Sequence, residues 1–103
     1  MIVVSDTSSI SNLLQIGLVD LLYKLYGKIT ITPAVERELY TLKEQKQAIE
    51  QIEWIKVIAP TNQKLILELL EELDLRESES IALALEYDAQ YLIIDEYVGR
   101  HIA

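Results

Sequence analysis

The fold of this chain is decided near its start, by the stretch IVVSDTSS at residues 2–9. Three β-branched apolar residues in succession predict a short strand buried on both faces, which is typical of a parallel sheet. Asp6 follows this strand directly, and Ser8 or Ser9 can cap a helix that carries Ile10 and Leu13. A buried strand that leads through an acid into a helix indicates an α/β protein.

The rest of the chain repeats this alternation of strands and helices. Residues 29–32 and 91–94 predict two further buried strands, and the weaker alternation at residues 55–58 predicts an edge strand. We therefore expect residues 1–103 to form one domain, a three-layer α/β/α sandwich around a mainly parallel sheet. The intervening helices are predicted over residues 18–25, 33–42, 43–53, 65–73 and from 74 or 75 onward.

The composition excludes several classes of protein. Cys is absent, which excludes disulfides and thiolate metal sites. No secretory signal is present and no apolar stretch approaches the roughly 20 residues of a membrane span, so we expect a soluble cytoplasmic protein. The net charge of −8 is unusual for a protein that binds nucleic acid, unless bound cations reverse the local field of some of the acids.

Four acids are predicted to meet at one edge of the sheet. Asp6 and Asp95 each come directly after a buried strand, and ligands bind at the carboxyl ends of strands in open parallel sheets. Glu38 and Glu77 lie in the early turns of helices that start at the same edge. Taken singly, Asp6 and Asp95 could equally be turn or cap residues, whereas Glu77 alone is better explained as a capping residue and Glu38 alone as a solvated side chain. Their joint placement favours a cation site.

The chemistry available to such a cluster is that of a hard metal ion. Carboxylate oxygens suit Mg²⁺ and Mn²⁺, and a bound cation can lower the pKa of water and assist displacement at phosphorus. With no Cys, one His and no candidate serine triad, nothing else in the chain indicates a catalytic group. Zinc is disfavoured on the same ground.

Four stretches of the chain stand out as motifs: VVSDTS (residues 3–8), TPAVEREL (32–39), LRESESIALA (75–84) and LIIDEYVGR (92–100). Together they resemble the motifs of the PIN-domain family, in the family's order and over essentially the whole chain. The closest likeness is to small prokaryotic PIN proteins related to toxin–antitoxin ribonucleases.

The resemblance implies a fold, a site and an activity. Asp6, Glu38, Glu77 and Asp95 match the family's metal-binding acids, and Glu79 could share the role of Glu77. The implied activity is Mg²⁺- or Mn²⁺-dependent endonucleolytic cleavage of single-stranded RNA, as the toxin of a toxin–antitoxin pair. The implied partners are a small antitoxin protein and a second copy of the chain, as a homodimer.

Two departures from the family pattern stand out. Arg76 occupies a position where this branch usually has Gly. The chain also ends at Ala103, before the last strand and helix of such domains, so we expect a C-terminally shortened domain. Apolar residues near that end would then need cover, which predicts self-association. These residues are Ile93, Tyr97, Val98 and Ile102.

Two other functions compete with the nuclease. The first is a catalytically inactive PIN-like module that binds a protein partner, which the charge of −8 and the shortened end favour. The second is a phosphoacceptor domain of the receiver kind, which also gathers acids at parallel strand ends. The absence of an Asp pair after the first strand disfavours it.

Overall fold

The computed structural model describes residues 2–41 and 43–93. Within these ranges, no helix is long and apolar enough to cross a membrane. The strands are β1 (Val3–Ser5), β2 (Ile29–Ile31), β3 (Ile55–Val57) and β4 (Tyr91–Ile93). The helices are α1 (Thr7–Gln15), α2 (Asp20–Tyr26), α3 (Pro33–Tyr40), α4 (Lys43–Glu50), α5 (Gln63–Leu69) and α6 (Leu75–Glu86).

The four strands form one parallel sheet in the order β3-β2-β1-β4. Val4 lies opposite Thr30 of β2 on one side and Leu92 of β4 on the other. The strand that carries Asp6 is therefore central in the described sheet, and β3 is at an edge as predicted. The predicted α/β class with a parallel sheet is confirmed.

The core lies on both faces of this sheet. One cluster of buried side chains gathers around β1 and β2, and Trp54 and Ile93 pack against it. Val4 is fully buried but lies outside this cluster, as the alternation of side chains along a strand requires. Helix α6 packs against β1 and β4 and contributes buried Leu83. The first cluster contains Val3, Ile10, Leu22, Ile29, Ile31, Val35, Leu39 and Ile49.

The helix starts follow capping rules, with one correction. The cap of α1 is Asp6 and not Ser8 or Ser9, because the extended backbone of Asp6 lets its Oδ1 accept the Ser9 N–H at 3.0 Å. The cap predicted at Asp74 is confirmed by the Glu77 N–H, which donates to Asp74 Oδ1 at 2.9 Å. Both capping acids thus hold their carboxylates at helix N-termini, where the helix dipole favours negative charge.

Strand β4 differs from expectation in its burial. Tyr91 is 53% exposed, so the prediction of a strand buried on both faces is wrong at its first residue. Ile93 is partly buried against the core cluster, so it is not an uncovered apolar side chain as expected. Tyr97, Val98 and Ile102, on which the same expectation rested, lie outside the described residues.

Helix α6 is fixed at its far end by Glu86. Its carboxylate accepts the Thr61 N–H at 2.8 Å, the Thr61 hydroxyl at 2.5 Å and the Asn62 N–H at 3.4 Å. These Thr61 hydrogen bonds lower the pKa of Glu86 below its ordinary value. The helix is thereby held to the start of α5, and its opposite end presents Asp74 and Glu77 towards the site.

Candidate active site

The candidate site begins with Asp6, at the carboxyl end of the central strand. Its backbone N–H donates to the Ile93 carbonyl at 2.9 Å, and its carboxylate caps α1. The residue is only 9% exposed. The sheet and the helix together therefore fix Asp6 in place, so a ligand here would meet a preformed oxygen donor.

Glu77 lies within electrostatic reach of Asp6. Burial raises the pKa of the Glu77 carboxyl above its ordinary value, and the negative charges of Asp74 and Asp6 act in the same direction. The positive charge of Arg76 opposes them only in part. Burial is the main cause of this shift, and the part that comes from neighbouring carboxylates is the part that a bound cation would relieve.

Glu38 reaches the same region from the second turn of α3, but it is paired. Its Oε1 lies 3.3 Å from Arg76 Nη1, with the two side chains 46% and 38% exposed. The other arm of the guanidinium, Nη2, donates to Asp74 Oδ2 at 2.8 Å. The sequence marked Arg76 only as a departure from the family pattern and did not predict this bridge between α3 and α6.

The Glu79 carboxylate has a structural role in the contact between α6 and α3. Its Oε1 accepts the Ala34 N–H at 3.0 Å, at the first turn of α3. The carboxylate therefore satisfies a backbone donor at a helix start that has no partner within its own helix. This contact holds α6 against α3. No sequence signal points to it, because the two residues are far apart along the chain.

Three buried hydroxyls in the described part of the chain have no hydrogen-bond partner: Thr7 Oγ1, Ser78 Oγ and Ser80 Oγ. Thr7 directly follows Asp6, and Ser78 directly follows Glu77. A buried hydroxyl without a partner costs about 1–3 kcal/mol, so an unmet group in a native fold calls for an explanation. Two of the three therefore belong to residues that directly follow predicted metal-binding acids in the sequence.

An open cleft lies between α3 and the start of α6, with a volume of about 350 Å³. Charges of both signs line it, because Arg37 and Arg76 stand beside Glu38 and Asp74. An extended polyanion could rest its phosphates on the two arginines while the acids bind cations. Ala34, Thr41 and Leu75 complete the lining.

The donor chemistry of the site fits a hard divalent cation. The carboxylates are oxygen donors, and the charges of Asp74 and Asp6 both act on Glu77. The residues that follow Asp6 and Glu77 in sequence, Thr7 and Ser78, have buried hydroxyls without a partner. Within residues 2–41 and 43–93, however, no three acidic or histidine side chains come together closely enough to hold a metal ion. Glu38 is turned to Arg76, and the fourth predicted acid, Asp95, lies outside the described residues.

The structure is that of an α/β protein with acidic side chains at the carboxyl end of its parallel sheet. Asp6 follows the central strand, and a packed helix supplies a second acid, Glu77. A family model described as PIN domain matches residues 2–103. The chain belongs to the PIN-domain family, whose members are nucleases that generally depend on divalent metal ions. No curated protein and no solved structure matches the chain.

Proposed function

We propose that this PIN domain is a metal-dependent endoribonuclease that cleaves single-stranded RNA. The observation that carries the proposal is the fixed, nearly buried carboxylate of Asp6 at the carboxyl end of β1, with Glu77 of α6 close enough to feel its charge. Family membership supplies the reaction class. The cation is Mg²⁺ or Mn²⁺, since all available donors are hard oxygens.

Each predicted acid has a role in this proposal. Asp6 at the end of β1 and Glu77 on α6 would bind the cation. Glu38 on α3 and Asp95, which follows β4 in the sequence, would be its other ligands. When bound, the cation acts as a Lewis acid that activates water and stabilises charge on the phosphate. The protein itself fixes Asp6 by its cap bond and its bond to Ile93, so the donor needs little reorganisation on binding.

The net charge of −8 also fits this proposal once cations are included. RNA is a polyanion, and an acidic surface without metal would repel it. A divalent ion at the acid cluster reverses the sign of the local field and draws the phosphate to the site. Arg37 and Arg76 in the adjoining cleft add the fixed positive charge that backbone binding needs.

Cleavage of RNA should depend entirely on added metal. We expect the full chain to cut a single-stranded RNA in Mn²⁺ or Mg²⁺ and to be inactive in EDTA, because in this proposal the cation supplies the Lewis acid that the side chains of the site do not provide. A duplex of the same sequence is the matched control and should be cut much more slowly. Cleavage that persists in EDTA would refute the metal mechanism.

The finer biological role that we propose is that of a cytoplasmic toxin that a small antitoxin protein holds inactive. The support is the likeness of the four motifs to toxin–antitoxin ribonucleases. Production of the chain in a bacterial host should then arrest growth, and a variant that has lost cleavage should not. Arrest by both forms would show that growth inhibition is unrelated to the nuclease.

One observation favours the alternative of an inactive interaction module. Arg76 neutralises Glu38 in the structure, so one of the four acids already has a cation of its own. Calorimetric titration with Mn²⁺ separates the two functions. A site of millimolar or better affinity favours the nuclease, and no binding favours the module.

We also propose that the chain forms a homodimer through the end of α1 and the outer face of α2. The exposed side chains there are Ile16 (65%), Leu18 (46%), Leu21 (41%) and Leu25 (69%). Burying one such side chain fully is worth about 1.5–3 kcal/mol, and a two-fold contact buries each patch against its copy.

Light scattering at micromolar concentration should therefore report a dimer, and Leu25→Glu should convert it to a monomer by placing a charge in the contact. Leu67→Glu is the matched control, because Leu67 is equally exposed at 66% but lies on α5. A monomer in the unaltered chain, or dissociation by the α5 variant alone, would overturn this assignment.

A further inference from the structure

Arg76 stands inside the acid site with its two arms on different partners. One arm donates to Asp74 at 2.8 Å, and the other lies 3.3 Å from Glu38. A guanidinium stays protonated at physiological pH, so Arg76 is a permanent positive charge, placed one residue before Glu77.

The two arms differ in how firmly they are held. Both carboxylate oxygens of Asp74 accept hydrogen bonds: Oδ1 from the Glu77 N–H in the α6 cap, and Oδ2 from Arg76 Nη2. Glu38 makes only the longer contact, and its side chain is 46% exposed. The Asp74 arm is thus an anchor, whereas the Glu38 arm is a contact that can be exchanged at little cost.

We propose that Arg76 is a resident counter-ion that competes with the divalent cation for Glu38. In the metal-free protein the guanidinium neutralises Glu38 and limits the repulsion among the acids. Cation binding requires Glu38 to leave Arg76, which stays tethered to Asp74 at the rim of the cleft. Arg76 thereby weakens metal affinity and stabilises the metal-free fold. The inference rests on the proposed function, because it concerns the same cation.

Calorimetric titration of the full chain with Mn²⁺ tests the competition directly. Arg76→Gln should bind Mn²⁺ about three- to fivefold more tightly, the range expected for release of a partly exposed ion pair. Arg37→Gln is the matched control: it removes the same charge from the same cleft, and in the described part of the chain Arg37 makes no ion pair. It should change the affinity by less than about twofold, since solvent screens exposed charges.

The effect must also pass through Glu38. In a Glu38→Gln background, Arg76→Gln should no longer tighten Mn²⁺ binding, because the contested carboxylate is gone. Arg76→Lys, which keeps the charge, should stay close to the unaltered chain. Thermal melting gives a second readout: Arg76→Gln should melt lower in EDTA and gain more from Mn²⁺ than the unaltered chain does.

Each outcome has a distinct meaning. Mn²⁺ binding that Arg76→Gln leaves unchanged or weakens would refute the counter-ion role alone. The role would also be refuted if Arg76→Gln tightened Mn²⁺ binding equally in the Glu38→Gln background, because Arg76 and the cation would then not be competing for Glu38. Absence of Mn²⁺ binding in every variant would refute the proposed function and this inference together.

Discussion

Asp6→Asn is expected to lower the rate of metal-dependent RNA cleavage by at least about 100-fold. A catalytic cation contributes several kcal/mol of transition-state stabilisation, and each ~1.4 kcal/mol that is lost with a ligand lowers the rate tenfold. The fold should be unaffected. Asn caps helices as well as Asp does, so its side-chain oxygen can still accept the Ser9 N–H. The measurement is the cleavage rate at saturating Mn²⁺, together with the melting temperature.

Two further variants separate the ligand role of Asp6 from its other properties. Asp20→Asn removes the same charge from an exposed position in the first turn of α2 and should leave the cleavage rate within about twofold, because exposed charges are screened. Asp6→Ala also loses the cap and should melt lower than Asp6→Asn, by about 1 kcal/mol in stability. If Asp6→Asn kept more than a tenth of the rate while EDTA still stopped cleavage, Asp6 would not be a ligand.

Leu83→Ala should produce a large loss of stability. Leu83 is fully buried on the face of α6 that packs against β1, and removal of a buried Leu side chain costs about 2–5 kcal/mol. The net stability of a domain is only about 5–15 kcal/mol, so the change removes a large part of it. Urea unfolding, followed by circular dichroism, measures the loss.

Leu85→Ala is the matched control on the same helix. Leu85 is 66% exposed, so the same substitution should change the free energy of unfolding by less than about 0.5 kcal/mol. Equal losses in the two variants would mean that α6 is rotated relative to the sheet, or that Leu85 is covered by another molecule. Measurement across a range of protein concentrations would separate those two explanations.

The parts of the fold that depend on local sequence were predictable. The strand before Asp6, Pro33 at the start of α3 and the Asp74–Glu77 spacing each act within one turn or strand, and each is confirmed. The misassigned cap of α1 has a physical reason. Asp and Ser are nearly equal as caps, so composition alone could not choose between Asp6 and the serines that follow.

The contacts between α3 and α6 could not be predicted in the same way. The bond from the Ala34 N–H to Glu79 and the ion pair of Glu38 with Arg76 depend on how closely two helices distant in sequence approach. Sequence patterning states which face of a helix is buried, but not which polar groups meet across the contact. The only sequence feature that pointed to the ion pair was the position of Arg76 directly before the predicted ligand Glu77.

The pairing of β1 with β4 has a consequence for synthesis on the ribosome. Val3 lies opposite Tyr91, and the Asp6 N–H donates to the Ile93 carbonyl of β4, so the two ends of the described chain meet at the site. Contacts so distant in sequence form late, because a long loop must close before they stabilise anything. A nascent chain that has exposed only its first three strands carries Asp6 and Glu38 and can pair β1 with β2, but it lacks β4, whose Ile93 carbonyl accepts the Asp6 N–H. The proposed nuclease site is therefore expected to form on the ribosome only after β4 has been exposed.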